Sequence, residues 1–263
     1  MAKAGASRGH WPEYLIEASL LGAFMVSALA FTVLLEHPAS PLRALLPEST
    51  VRRALMGLAM GATAIGLVCS PWGQRSGAHF NPAFTLAFFR LGKIEARDAL
   101  GYVAAQFAGG VLGVLAVSSV LGSLVAEPSV NYAATRPGTS GVATAFAAEA
   151  AISFATMTVV LVVSNHARGA RFTPLFVGAL VATWITFEAP FSGMSMNPAR
   201  SFGSAAGARL FDSLWIYFTA PPLGMLLAAE LFVRTRGRLA VRCAKLHHEN
   251  AQRCIFRCGY RAA

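Results

Sequence analysis

Long apolar runs separated by short polar stretches dominate this chain. A bilayer's hydrocarbon core calls for roughly 20 consecutive apolar residues. Six runs qualify, at 14–35, 54–72, 99–126, 141–164, 172–191 and 214–233. The pattern breaks differently between the second and third runs, and again between the fifth and sixth. Segments 73–98 and 192–213 are too long for tight connections, and each carries an apolar stretch too short to cross, FTLAFF and RSFGSAAGARLF. Such backbone can reach membrane depth only where protein shields it or where it lines water. The pattern therefore predicts an all-α membrane protein with six spans and two re-entrant half-helices.

The same two segments expose an internal repeat. SGAHFNPAFTLAFF at 76–89 and SGMSMNPARSFGSA at 192–205 share Ser, Gly, Asn, Pro and Ala at matching places. Each half of the chain reads as two spans, an NPA stretch and a third span. This divides the sequence into an N-terminal segment 1–13, a first repeat 14–126, a connecting loop 127–140, a second repeat 141–234 and a basic tail 235–263. Three spans is an odd number, so the second repeat enters the membrane from the opposite face and the duplication is inverted. One half-helix then enters from each face, and the two meet near the midplane.

Local chemistry explains why Asn and Pro stand there. Asn is a favoured helix N-cap, and Pro is favoured at the first helical position because its missing N–H is not needed there. Asn81, Pro82 and Ala83, and likewise Asn197, Pro198 and Ala199, read as helix starts. With each Asn side-chain oxygen held by a backbone N–H, the NH2 group is expected to be free to donate. Two such donors facing one another, each at the positive end of a helix dipole, suit water or an alcohol and oppose a cation. Arg200 stands three residues beyond Asn197, where the first repeat has Phe84. A guanidinium inside a membrane protein is expensive and usually faces a functional cavity; the competing reading is an Arg snorkelling to the headgroups. Glu17 and Glu149, one early in each repeat, are expected to be structural acceptors for the re-entrant backbone N–H groups, since unsatisfied groups are costly in lipid. Gly57-x-x-x-Gly61 and Gly109-x-x-x-Gly113 read as close helix packing. His79 reads either as part of the inner mouth or as a satisfied loop histidine.

Composition agrees with the pattern. Hydrophobic residues make up 55% and charged residues 13%, with a mean hydropathy of +0.54, against about 25% charged in soluble domains. The first run is too long for a signal-peptide core and no small-residue cleavage site follows it, so it is expected to be retained. The net charge of +10 raises the question of nucleic acid. With both termini in the cytoplasm of a cell (plasma or inner) membrane, however, most of the 22 Lys and Arg fall on that side. They include Lys3, Arg8, Arg261 and the rest of the tail. That is the positive-inside pattern, and no nucleic-acid partner is needed. Cys243, Cys254 and Cys258 lie in the tail near His247 and His248, but their spacing matches no standard zinc pattern. The expectation is a disordered basic tail at the membrane surface with no metal site and no cofactor.

The paired NPA boxes, SGAH before the first, NPARSFG from the second and one Glu early in each half resemble the aquaporin family, the major intrinsic proteins, over roughly residues 11 to 234. The resemblance implies a homotetramer with one pore per subunit, passing water and small neutral solutes through the bilayer. It implies that Asn81 and Asn197 form the central constriction and that Arg200 belongs to an outer selectivity filter. Carried over by ungapped spacing from each NPA, the remaining filter positions are Gly61, Ile185 and Met194, unless a one-residue shift substitutes Met60 for Gly61. Strict water channels typically have a large aromatic and His at the first two. Gly61 with Ile185 implies a wider, more apolar filter that admits solutes such as glycerol. The positions that tend to separate water from glycerol channels, Ser201, Ala205, Tyr217 and Phe218, point instead to the water class. Competing readings are a facilitator whose main cargo is glycerol, urea or a metalloid acid; a proton-coupled carrier using Glu17, Glu149 or Glu188; and a structural membrane protein with a closed pore. No nucleophile-base-orienter set is apparent, so an enzyme is not expected.

Overall fold

The computed structural model describes residues 9–260; Lys3, Arg8 and Arg261 lie outside the described residues. All regular structure within them is helical. The elements in order are α1 (Trp11–Glu36), α2 (Pro41–Leu45), α3 (Ser49–Cys69), α4 (Pro71–Ser76), α5 (Pro82–Arg90), α6 (Ala96–Leu121), α7 (Gly141–Ser164), α8 (Thr173–Phe187), α9 (Ala189–Ser192), α10 (Pro198–Ala208) and α11 (Leu214–Arg236). Six of these, α1, α3, α6, α7, α8 and α11, are long and apolar enough to cross a membrane. The half-helices are α5 and α10. Each is far shorter than a span and is preceded by an Asn N-cap and a Pro at its first position.

The packing follows the inverted repeat. Helix α1 lies against α6, and its counterpart α7 lies against α11, while α3 and α8 pair across the two halves. Each half-helix packs on the last span of the other repeat, α10 on α6 and α5 on α11. Small residues let the backbones approach. A methyl group at Gly109 would come within 2.1 Å of the Ala18 carbonyl, so α1 and α6 touch main chain to main chain. Leucines such as Leu58, Leu100, Leu112 and Leu115 point outward, as lipid-facing positions of a bundle do.

The element ends differ from the expected runs for local reasons. The fifth run was read to 191, but α8 stops at Phe187 and α9 is a separate turn, because Pro190 cannot continue the hydrogen-bond ladder. The third run stops at Leu121 instead of 126. Gly122, at φ +55°, turns the chain there into a 3-10 segment.

The tail departs most from expectation, for it is folded. Cys243, Ala244 and Leu246 are buried, the last only 2% exposed. Arg242 N donates to Asn165 Oδ1 at 2.7 Å, Tyr260 Oη to Ser164 O at 2.7 Å, and Arg257 N to Lys93 O at 2.9 Å. Lys245 is enclosed and donates to Gln252 O at 3.0 Å, and burial pushes its pKa down. The basic character that suggested disorder is real, but Phe256, Leu246 and the three cysteines give the segment an apolar side that packs on the bundle. It covers the termini end of the bundle, where α1 starts and α11 stops.

Candidate functional site

The two half-helices meet end to end at their N-termini. Asn81 Oδ1 accepts from Ala83 N at 2.8 Å, and Asn197 Oδ1 accepts from Ala199 N at 3.1 Å and Arg200 N at 3.2 Å. The Nδ2 atoms reach across the pseudo-two-fold, Asn81 to Met196 O and Asn197 to Phe80 O, both at 2.8 Å. This corrects the sequence reading in one respect. The amides are not wholly free: each commits one of its two hydrogens to the other repeat's backbone and keeps one.

The backbone leading into each Asn is held in an unusual shape. Ala78 and Phe80 before Asn81, and Met194 and Met196 before Asn197, all have positive φ between +29° and +56°. Non-glycine residues seldom adopt such angles unless their surroundings enforce them. The enforcement comes from the buried glutamates. Glu17 accepts from Ser76 Oγ at 2.7 Å, His79 N at 3.1 Å, Phe80 N at 2.5 Å and Gln106 Nε2 at 2.8 Å. Glu149 accepts from Ser192 Oγ at 2.8 Å, Ser195 N at 2.7 Å and Met196 N at 2.8 Å. Both carboxylates are fully buried. Tyr102 and Tyr217 complete the frame by donating to Ser76 O and Ser192 O. Tyr102 went unrecognised in the sequence, where a lone Tyr in an apolar run gives no sign of its partner.

A cavity of about 300 Å3 runs past these asparagines. It begins between Glu36 and Arg53 at the end away from the termini, passes both Asn, and reaches His79 and Leu246 at the termini end. Its wall is mainly apolar and includes Phe24, Met56, Ala64, Val177 and Val181. Ile185, Met194 and Arg200 line it together. Arg200 Nη1 donates to Ala133 O at 2.8 Å, so the guanidinium is tied to the loop between the repeats and does not reach for headgroups. That loop, expected only as a connector, contributes Ser129, Val130, Ala133 and Ala134 to the wall. Its sequence carries no motif that would have announced this.

Gly61 is a correction. It faces α8, where an added methyl would meet Gly178 O at 2.5 Å, and it does not line the cavity. Met60 does line it. Along α3, Arg53, Met56, Met60 and Ala64 follow helical spacing on the cavity face, which puts Gly61 about a quarter turn away on the packing face. Ser201, Ala205, Tyr217 and Phe218 also lie off the cavity wall. Ser201 bonds Thr135 and Ser195, Tyr217 holds Ser192, and Phe218 packs on Phe107 and Phe202.

His79 lines the cavity at the termini end and is fully engaged. Its Nε2 donates to Ala244 O at 2.8 Å, its Nδ1 lies 3.1 Å from Thr85 Oγ1, and its ring stacks between Phe88 and Phe256.

Residues 16–232 match the family described as major intrinsic protein. A glycerol uptake facilitator protein-like 6 from Lactiplantibacillus plantarum is 38% identical over 66% of this chain and 81% of its own length. Aquaporin NIP6-1 of Arabidopsis thaliana is 37% identical over 68% of this chain, a match that spans only 57% of that protein. Aquaporin NIP2-3 of Zea mays is 31% identical over 86% of this chain and 73% of its own length. In fold, the chain resembles the aquaglyceroporin from Plasmodium falciparum, with a TM-score of 0.69 at 19% identity, covering 88% of this chain and 99% of that one. The paired half-helices, the inverted bundle around them and these matches make the chain an integral membrane protein of the major intrinsic protein family.

Proposed function

We propose that this chain is a passive channel for water and small uncharged solutes such as glycerol. The observation that carries the reading is the cavity passing two Asn amides at the abutting positive ends of two half-helices. Each amide keeps one N–H for a solute oxygen, and the field there opposes cations and interrupts a proton wire. Glu17 and Glu149 have their oxygens taken up by loop donors, which favours a channel over a carrier that would titrate them. Family membership likewise favours a channel over an enzyme.

The wall around Arg200 supports a polyol among the solutes. Met60, Ile185 and Met194 supply an apolar side, and Arg200 a fork of donors. An alkyl chain with hydroxyls on one edge fits that pairing, and water alone does not require it. In this reading both termini are cytoplasmic, Arg200 stands at the outer mouth, and the chain assembles as a homotetramer in the cell (plasma or inner) membrane.

Stopped-flow light scattering on proteoliposomes tests the proposal. An impermeant sugar and glycerol should both cause fast shrinkage, and only glycerol should allow rapid reswelling. Shrinkage without accelerated reswelling would restrict the cargo to water. Saturable uptake driven by a pH gradient would replace the channel by a carrier.

A further inference from the structure

The tail brings together side chains that the sequence spacing, C-x4-H-x5-C-x3-C, does not announce. The sulfurs of Cys243, Cys254 and Cys258 and a ring nitrogen of His248 all lie within 4.8 Å of one another. Cys243 Sγ is 3.6 Å from Cys254 Sγ, and Cys258 Sγ is 3.0 Å from His248 Nε2. Three sulfurs and one nitrogen on a tetrahedral zinc ion, at Zn–S near 2.3 Å and Zn–N near 2.0 Å, stand about 3.5–3.8 Å apart. The cluster is thus within a few tenths of an ångström to one ångström of that geometry throughout. Three thiolates with one imidazole is a closed donor set of the kind that holds structural zinc, and soft thiolates disfavour magnesium and calcium. The histidine is also oriented, as metal-binding rings are. Tyr260 stacks on His248 at 4.2 Å between centroids, and Tyr260 is itself fixed to the end of α7 through Ser164 O.

The ligands flank the two pieces of tail that touch the cavity. After Cys243 come Ala244, whose carbonyl takes the His79 Nε2 bond, and Leu246, which enters the cavity wall. Leu246 N also donates to Gly77 O at 3.1 Å. After Cys254 comes Phe256, stacked on His79 at 5.4 Å. The two pieces are otherwise joined by hydrogen bonds, Lys245 Nζ to Gln252 O at 3.0 Å and Gly259 N to Arg242 O at 2.6 Å. We propose that Cys243, His248, Cys254 and Cys258 bind one zinc ion, and that this ion clamps the tail into the termini end of the cavity. The metal site stands independently of the proposed function; the clamp rests on the channel reading.

The test uses the full-length protein in detergent, purified under reducing conditions, dialysed against zinc chloride and washed. Metal analysis should return about one zinc per chain. Cobalt in its place should give thiolate charge-transfer bands and a tetrahedral spectrum, a readout that needs no variant. Cys254→Ser and His248→Ala should each weaken zinc binding by more than the ~10–100-fold that loss of an outer-shell partner costs. Glu249→Gln, a tail change outside the donor set, should leave it unaltered. No retained metal, an octahedral cobalt spectrum, or a Cys243–Cys254 disulfide in the reduced preparation would overturn the site.

Proteoliposomes carrying zinc should then shrink several-fold more slowly than the same vesicles with a chelator, and Cys254→Ser should be fast in both. Equal rates with zinc demonstrably bound would overturn the clamp and leave the site. Absence of flux in every condition, including from Leu246→Ala, would overturn the channel reading while the metal count stood by itself.

Discussion

The loops ahead of Asn81 and Asn197 are built alike and finished differently. In both, a buried glutamate from the repeat's first span gathers a serine hydroxyl and two backbone N–H groups, and a tyrosine holds that serine's carbonyl. The differences lie at the edges. Four residues after Tyr102 stands Gln106, a fourth donor to Glu17; four after Tyr217 stands Pro221, which offers none. Phe84 in the first repeat answers to Arg200 in the second. The first loop is covered by the tail through His79, Ala244 and Phe256, and the second by the connecting loop through Ala133, Thr135 and Gly138. The two repeats share the frame that holds the half-helices, and each is covered at its outer edge by a different segment of the chain.

Removing the glutamates should break the shared frame, and this is the largest expected effect. Glu149→Ala strands three buried donors, each costing about 1–3 kcal/mol. A loss of at least ~3 kcal/mol follows, read as a lower unfolding temperature and aggregation on size exclusion. Glu17→Ala also removes one of the two acceptors of Gln106 Nε2, leaving it Thr85 Oγ1, and should be somewhat worse. Glu→Gln at either position keeps one carbonyl acceptor and should recover part of the loss. Alanine variants as stable as the parent would show that the loops hold their shape without these carboxylates.

Next in size is a contrast within one helix. Gly61→Ala drives a methyl to 2.5 Å from Gly178 O, an overpacking that typically costs about 1–3 kcal/mol, and it should leave solute selectivity alone. Met60→Ala should instead raise glycerol flux relative to water, at a stability cost of up to about 2–5 kcal/mol because the side chain is buried. If Gly61→Ala instead alters selectivity in a stable protein, Gly61 and not Met60 holds the filter position. Arg200→Val then separates the two mouths. The fold should survive, since the guanidinium hydrogen-bonds to the connecting loop at Ala133 O and holds no half-helix in place. Cation or proton leak should rise by at least about tenfold, the equivalent of 1.4 kcal/mol in barrier. Phe84→Val at the corresponding place in the first repeat should produce no such leak.

Much of this was legible in the chain. Six apolar runs, two NPA boxes and one Glu per half specify the bundle, its inversion and the meeting half-helices, because lipid leaves backbone so few alternatives. Residue-level facing was less legible. Met60 and Gly61 differ by one position, and only the side on which α8 packs decides which of them meets the cavity. The cross-bonds of Asn81 and Asn197 depend on carbonyls turned by positive φ at Phe80 and Met196, residues whose types give no hint of that conformation. The tail was misread for a compositional reason. Its many Arg residues suggest disorder, whereas its folding depends on a few apolar and sulfur-bearing residues whose partners lie far away in sequence.

The smallest effect tests whether the two-fold frame is equivalent in energy as well as in shape. Tyr102→Phe and Tyr217→Phe each delete one hydroxyl bonded to a serine carbonyl, at 2.6 and 2.5 Å respectively. A neutral hydrogen bond of this kind contributes about 0.5–1.5 kcal/mol, so each variant should fold and show a modestly lower unfolding temperature. The two rings, unlike the two hydroxyls, should differ in their consequence for flux. Tyr102 also makes an edge contact with Phe256 of the tail, at 6.0 Å between centroids, and the ring survives in the Phe variant. Tyr102→Phe should therefore keep the tail seated, and water flux should change little. Tyr102→Leu removes the ring as well, so it should raise water flux beyond Tyr102→Phe, while Tyr217→Leu, with no tail against it, should not. Equal flux from both leucine variants would mean that the tail does not govern entry at the termini end, and the first repeat's mouth would be no more regulated than the second's.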